Sequence, residues 1–320
     1  MSPCGFVTRI IHATAEDVHL DYLDAGANII ITASYQATIQ GFEAKGLSRE
    51  EGEVLLRRSV EIAREAREIY YDRWTKDSWD FVEAGNISRR PILIAASVGS
   101  YGAYLADGSE YSGKYGDSVT LETLKDFHRS RVQILASAGA DLIAFETTPN
   151  KLEAQAYAEL LEEEGINIPA WFTFTSNDGI NAASGDSILE CASIADSCKQ
   201  VVAVGINCTP PRYIHSLISH IRKVYIYIYI YKHITKDYHN SLNEQVSSKP
   251  IVIYPNSGET YDAVNKKWVK SSGVNDEDFV SYLDKWREAG ASLFGGCCRT
   301  TPNTIRAISR ALFDKSNTDT

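Results

Sequence analysis

Three of the six cysteines stand where chemistry is done. Cys208 lies in Gly205-Ile206-Asn207-Cys208-Thr209-Pro210, and the adjacent pair Cys297 and Cys298 lies in Gly295-Gly296-Cys297-Cys298-Arg299-Thr300-Thr301-Pro302; each segment follows a short apolar run. If those runs are parallel strands of one barrel, their C-terminal ends face the same side and three thiols meet at one rim. Three thiolates with a fourth position open form the donor set of a catalytic zinc site, because zinc takes thiolate sulfur at about 2.3 Å in tetrahedral geometry. Gly295 and Gly296 are expected to turn the backbone so that the adjacent cysteines need not point to opposite faces. Helices starting just after each cysteine would place their positive ends near the thiolates. Burial as a small hydrophobe is the ordinary fate of a cysteine. It is the reading for Cys191 and Cys198, seven apart on a helical pattern at 184–199. A Cys297–Cys298 disulfide is disfavoured, since adjacent residues close a strained ring and no C-x-x-C is present. Cys4 receives no role, and His19, His128 and His215, on helical patterns, are read as non-ligands.

The elements that must position these thiols are legible as apolar runs at 27–34, 91–97, 140–145, 168–175, 201–207, 250–254 and 291–294. Continuous apolarity without alternation marks parallel strands buried on both faces. Helical patterns separate them; the clearest, 48–70, opens with a Ser48/Glu51 capping box and repeats Leu55, Ile62, Ala66 and Ile69 at helical spacing. Ala-Gly-Ala occurs at 25–27, 138–140 and 289–291, each time where a helix should end and a strand begin, with glycine for a left-handed C-terminal residue. Thr148-Pro149, Thr209-Pro210 and Thr301-Pro302 each follow a strand, and threonine is expected to cap a helix whose first residue is the proline. Seven such units favour a (β/α)8 TIM-type barrel with its first strand missing. The competing open doubly wound sheet lacks a G-x-G-x-x-G loop after the first visible strand.

One segment stands apart. Residues 224–232 read V-Y-I-Y-I-Y-I-Y-K and lead into a polar stretch to about 245. Strict alternation predicts a strand, an aggregation hazard if exposed. An inserted hairpin strand is one reading. The other is translated non-coding sequence, since an alternating TATATA tract encodes Tyr-Ile repeats.

Composition bounds the function class. With 42 Asp and Glu against 32 Lys and Arg the formal net charge is -10, which disfavours nucleic acid as a partner. At 44% hydrophobic and 23% charged residues the chain is expected to be folded and water-soluble. No apolar stretch is long enough for a membrane span and the first residues do not read as a leader, so a cytoplasmic location is expected.

The segments 205–211 and 295–305, together with 25–37 (A-G-A-N-I-I-I-T-A-S-Y-Q-A) and Phe145-Glu146-Thr147, closely resemble the zinc-dependent homocysteine S-methyltransferases. The likeness is greatest to the plant-type branch that uses S-methylmethionine, and it covers about 17–312 apart from the Tyr/Ile insertion. The resemblance implies a barrel in which Cys208, Cys297 and Cys298 hold Zn2+ and the homocysteine sulfur is the fourth ligand. The thiolate then takes a methyl group from a sulfonium, S-methylmethionine or S-adenosylmethionine, giving methionine. It further implies that Glu146 binds the homocysteine amino group and that Tyr35 lines the methyl-donor site, where an aromatic face suits a cation. Asn207 and Asn256, at strand ends, are candidate substrate contacts, although turn chemistry alone explains such residues.

The family's first strand ends in Asp-Gly-Gly, a motif not found before the helix that precedes Asn28. The expectation is therefore a single homocysteine-binding domain over 1–320, incomplete at its N-terminus and carrying an insertion at 225–245. Three functions stay open: the homocysteine methyltransferase, a catalytically silent, truncated, intron-retaining zinc-binding homologue, and a selenocysteine methyltransferase. Oligomeric state is not readable.

Overall fold

The computed structural model describes residues 12–78, 90–236, 249–262, 267–269 and 273–316. All seven predicted strands form: β1 (Ile29–Ile31), β2 (Leu93–Gly99), β3 (Leu142–Thr148), β4 (Ala170–Phe174), β5 (Val201–Asn207), β6 (Ile251–Tyr254) and, after a small antiparallel hairpin of β7 (Thr260–Asp262) and β8 (Lys267–Val269), β9 (Ala291–Phe294). They pair in parallel in the order β1-β2-β3-β4-β5-β6-β9, so each crossover adds the next neighbour, as in a barrel wall. The described residues thus make a curled seven-stranded wall with β1 and β9 at its edges.

Helices α1 (His12–Asp24), α2 (Ile39–Glu43), α3 (Arg49–Ser78), α4 (Tyr101–Leu105), α5 (Leu121–Ser137), α6 (Lys151–Glu163), α7 (Ile188–Ser197), α8 (Pro211–Lys236), α9 (Asp276–Ser281), α10 (Leu283–Ala289) and α11 (Pro302–Ser316) fill the connections. Successive strand residues alternate between two environments. Ile94, Ala96 and Val98 of β2, Ile143 and Phe145 of β3 and Phe172 and Phe174 of β4 face the helices in the main core. Ala95, Leu142, Ala144, Trp171, Ala203, Val252 and Tyr254 form a second apolar cluster on the opposite face. By the same parity Ser97, Glu146 and Thr173 belong to that second face, and all three are buried.

The predicted capping box is present: the Ser48 amide donates to Glu51 (2.7 Å) and the Glu51 amide to the Ser48 hydroxyl (3.2 Å). The three Ala-Gly-Ala junctions behave alike, with Gly26, Gly139 and Gly290 at φ of 103°, 91° and 120°, where a side chain would be strained. Cys191 lies buried in the core on α7, and Cys198 just beyond its end is 8% exposed. Cys4 lies outside the described residues.

Two expectations are corrected. Of the three Thr-Pro pairs only Thr301-Pro302 starts its helix at the proline. Asn150 caps α6 by accepting from the Glu153 amide (2.8 Å), and α8 begins one residue late, at Pro211. Thr209 is not a cap because its hydroxyl accepts from the Ser176 amide and donates to the Asn207 carbonyl, tying two strand ends together. The Tyr/Ile run is the second correction: it continues α8 and does not form a strand. The run lies between β5 and β6, which pair directly with each other from Val204↔Ile251 to Asn207↔Tyr254, so the wall has no place for a strand between them. A helix already nucleated at Pro211 needs only propagation. The polar stretch that follows lies outside the described residues.

Candidate metal centre

The strand ends that carry the cysteines are bent by unusual backbone. Cys208, directly after β5, has φ 48°, and Arg299, directly after Cys298, has φ 67°. Left-handed backbone at a residue with a Cβ costs about 1–2 kcal/mol. Gly295 and Gly296 were expected to supply the turn, but neither has a positive φ. Glycine is needed at 296 for a different reason: a Cβ there would lie 2.3 Å from the Thr300 hydroxyl. Backbone bonds from the Gly295 amide to the Ile253 carbonyl and from the Cys297 amide to the Pro255 carbonyl, each 2.8 Å, fix the second cysteine segment to the chain leaving β6.

The result brings together the three thiols. Their sulfur atoms all lie within 4.8 Å of one another, and Cys208 Sγ is 3.5 Å from Cys298 Sγ. A tetrahedral ion with 2.3 Å bonds to sulfur holds its ligands about 3.8 Å apart, so the donor set fits a thiolate-bound metal. Cys208 is buried, while Cys297 and Cys298 are half-buried, so the group is not sealed from solvent. Hydrogen bonds from the Cys297 and Cys298 thiols and from the Tyr111 hydroxyl hold the Cys208 thiol well below its ordinary pKa, and Cys297 is raised by the hydrogen bond it gives to Cys208, with burial and the Cys208 charge adding to the rise. One thiolate forms readily and the next is harder, which is the situation a cation resolves.

Glu146 occupies the last inward position of β3, level with Gly99 of β2. It is 6% exposed, accepts a short hydrogen bond from the Ser97 hydroxyl, and is pushed up to about 7 by burial against the lowering effect of Ser97 and Tyr254. Tyr254 is itself held by Thr173 (2.7 Å) and by the Trp171 indole N–H (3.1 Å).

The other residues singled out in the sequence divide. Tyr35 is half-buried beside Gly99, whose amide donates to the Tyr35 carbonyl and where an added Cβ would meet the Tyr35 ring at 2.7 Å, so it stands at the same rim. Asn207 is fully buried, with its Oδ1 accepting from the Thr147 amide and its Nδ2 donating to the Thr147 hydroxyl, both at 2.8 Å. Thr147, at φ 59°, is the residue after Glu146, so Asn207 clamps the strained turn that follows the carboxylate. Asn256 Oδ1 accepts from the Gly258 amide (2.8 Å), an Asx turn.

His128 is no ligand: it is fully buried on α5, where Arg131 donates to its Nδ1 (2.6 Å) and its Nε2 meets Glu153 (2.8 Å). Since arginine can only donate, the proton sits on Nε2 and the ring is neutral. Arg131 also donates to the Gly99 carbonyl (2.6 Å), so this network braces the tip of β2 beside Glu146.

Sequence reasoning missed Tyr111 and Glu110, on a 3-10 turn (Ser109–Tyr111) after α4. The Tyr111 hydroxyl lies 3.6 Å from Cys208 Sγ. The available signal was Asp107-Gly108 between apolar segments, a turn in a strand-to-helix loop on the side where the strands end.

A family model described as Homocysteine S-methyltransferase matches residues 7–312. Homocysteine S-methyltransferase 3 of Arabidopsis thaliana is 70% identical over 298 residues, spanning 93% of this chain and 80% of that protein. Selenocysteine methyltransferase of Astragalus bisulcatus is 67% identical over 92% of this chain and 81% of its own length. Among solved structures, the metallated form of the homocysteine methyltransferase MmuM from Escherichia coli superposes with a TM-score of 0.72 at 38% identity, covering 92% of this chain and 83% of that one.

Proposed function

The chain belongs to the homocysteine S-methyltransferase family, and on that premise we propose that it transfers a methyl group from S-methylmethionine or S-adenosylmethionine to homocysteine at a zinc ion held by Cys208, Cys297 and Cys298. The observation that carries the reading is the convergence of three sulfurs from two distant strand ends, two of them on half-buried residues. Zinc, when bound, supplies a positive charge that keeps a fourth, incoming thiol deprotonated at neutral pH.

This chain's own residues do the rest. The homocysteine thiolate forms the new carbon–sulfur bond as the old methyl–sulfur bond breaks, and the electron pair leaves on the donor sulfur, which becomes a neutral thioether. No covalent enzyme intermediate is required. Glu146, buried on the inward face of β3, takes the ammonium of homocysteine, a role supported by its electrostatic interaction with Cys208 and by the hydroxyls of Ser97 and Tyr254 that hold it. Tyr35 offers an aromatic face to the cationic donor. Asn207 and Asn256 serve by shaping the loops, since their side chains are engaged with Thr147 and Gly258. A cytoplasmic site of action accords with a reaction that needs reduced thiols.

The test is zinc content and methionine formation on the purified chain, with homocysteine and S-methylmethionine supplied, beside Cys298→Ala. One zinc per chain, with turnover that the variant loses, is expected; folded protein without zinc would overturn the site. The relative named selenocysteine methyltransferase, at nearly the same identity as the homocysteine enzyme, supports a second reading with selenocysteine as acceptor. Comparing kcat/KM for the two acceptors decides between them.

A further inference from the structure

Glu110 is a buried carboxylate that the reading above does not use. It is 1% exposed, and its Oε2 has no hydrogen-bond partner among the described residues. Nor do the described residues offer a lysine or arginine in ion-pair contact with it. Burying an unpaired carboxylate is expensive, so such a group survives where a cationic ligand completes it.

The backbone that carries Glu110 is built to close tolerances. Asp107 Oδ1 accepts from the Ser109 amide (2.9 Å) and hydroxyl (2.5 Å), closing the turn. Gly102 of α4 lies so close that a Cβ there would be 2.4 Å from the Glu110 amide nitrogen, and Asn177, beyond β4, donates to the Tyr111 carbonyl (2.6 Å). The turn is therefore pinned from two sides, and its next residue, Tyr111, places its hydroxyl 3.6 Å from Cys208 Sγ. Burial raises the pKa of the carboxyl first, hydrogen bonds from the Glu110 and Gly108 amides oppose the rise, and charge at Asp107 and Cys208 adds to it.

Resting on the sulfonium-to-thiol reading, we propose that Glu110 is the carboxylate that receives the positive charge of the methyl donor. The charge count supports the assignment. Each of the two amino-acid substrates brings an ammonium balanced by its own carboxylate, and the donor alone adds a sulfonium. Two buried carboxylates are coupled to the cysteine group, and they come from different elements. Glu146 belongs to the wall of the sheet and couples to both Cys208 and Cys297. Glu110 belongs to the turn after α4, whose next residue, Tyr111, reaches Cys208, so it approaches the sulfurs from a different element than Glu146 does.

The experiment uses zinc-loaded full-length chain, wild type, Glu110→Gln and Glu110→Asp, with KM measured separately for S-methylmethionine and homocysteine, and S-methylmethionine affinity measured by calorimetric titration without turnover. In Glu110→Gln the donor KM and dissociation constant are expected to rise at least tenfold, while homocysteine KM and zinc content stay within twofold; Glu110→Asp, which keeps the charge, is expected to fall between. Unchanged donor affinity overturns the proposal, as does a homocysteine KM that rises as much as the donor's. If Glu110→Gln loses zinc or melts, the ratio of the two KM values in Glu110→Asp decides in the same way. A wild-type chain that binds S-methylmethionine but forms no methionine would sink the transfer reading alone, and a tenfold weaker titration in Glu110→Gln would still uphold Glu110.

Discussion

At the scale of residues, the three sulfurs were legible because cysteine at the C-terminal end of a strand is rarely structural in pairs, and Cys208, Cys297 and Cys298 do converge. What could not be read was the device that aims them. Left-handed backbone at Cys208 and Arg299 leaves no compositional mark, whereas the neighbouring glycines attract attention for the wrong reason. Asn207 is the same case: its position at a strand end was visible, but its clamp on Thr147 spans 60 residues. Replacing Asn207 with Ala leaves the buried Thr147 amide and hydroxyl unpaired and is expected to cost about 3 kcal/mol by urea unfolding. Activity should fall further than stability alone explains, because Glu146 precedes the released turn. Glu146→Gln should raise homocysteine KM by tenfold or more. With a carboxyl pushed up to about 7, wild-type kcat/KM for homocysteine should decline as pH drops below that value, because the Glu146 carboxylate takes up a proton and loses the charge that holds the ammonium. The variant, having no proton to take up there, should lack that acid limb in a pH profile.

At the scale of elements, the strands were readable because a run buried on both faces leaves an unbroken apolar signature, as at 142–145, although the buried polar end of β3 at Glu146, Thr147 and Thr148 carries no such mark. The Tyr/Ile run misled for a complementary reason. Alternation reports what a segment would do given an edge to pair with, and β5 and β6 leave none. The first half of α8 packs on the core, where Ile214, Leu217, Ile218 and Ile221 are buried at helical spacing. Beyond the insertion, Lys249 donates to the carbonyls of Ala195, Asp196 and Cys198 at 2.6–2.8 Å, closing the end of α7. Deleting 225–245 spares both features and leaves a connection of ordinary length between helix and strand. The shortened chain is expected to melt within a few degrees of the full one and to bind the same zinc; a collapse of either in thermal denaturation would show that the segment holds the fold.

At the scale of the whole molecule, stability should weaken on the acid side. His19 and His128, buried on α1 and α5, are both lowered to about 4 by desolvation, although Glu153 opposes this at His128. The unfolded imidazoles accept protons near 6.5, so each contributes stability that is complete above that pH and is lost as pH falls toward 4. For His128 this is about 3 kcal/mol. The stability difference between wild type and His128→Gln, from urea midpoints, should therefore shrink by about that amount between pH 6.5 and 4. Another whole-molecule feature is the meeting of the first and last elements. The Tyr22 hydroxyl of α1 donates to the Thr300 carbonyl (3.4 Å), just beyond the paired cysteines, and Ser309 of α11 lies where a Cβ on Gly26 would fall. During synthesis, α1 waits through nearly the entire passage of the chain for its packing surface, and Cys208 waits for two partners made only shortly before the final helix. A chain stalled between Cys208 and Cys297 holds one of the three sulfurs without the other two and cannot assemble the metal site, so the Cys208 thiol stays open to oxidation until the second cysteine segment has been made.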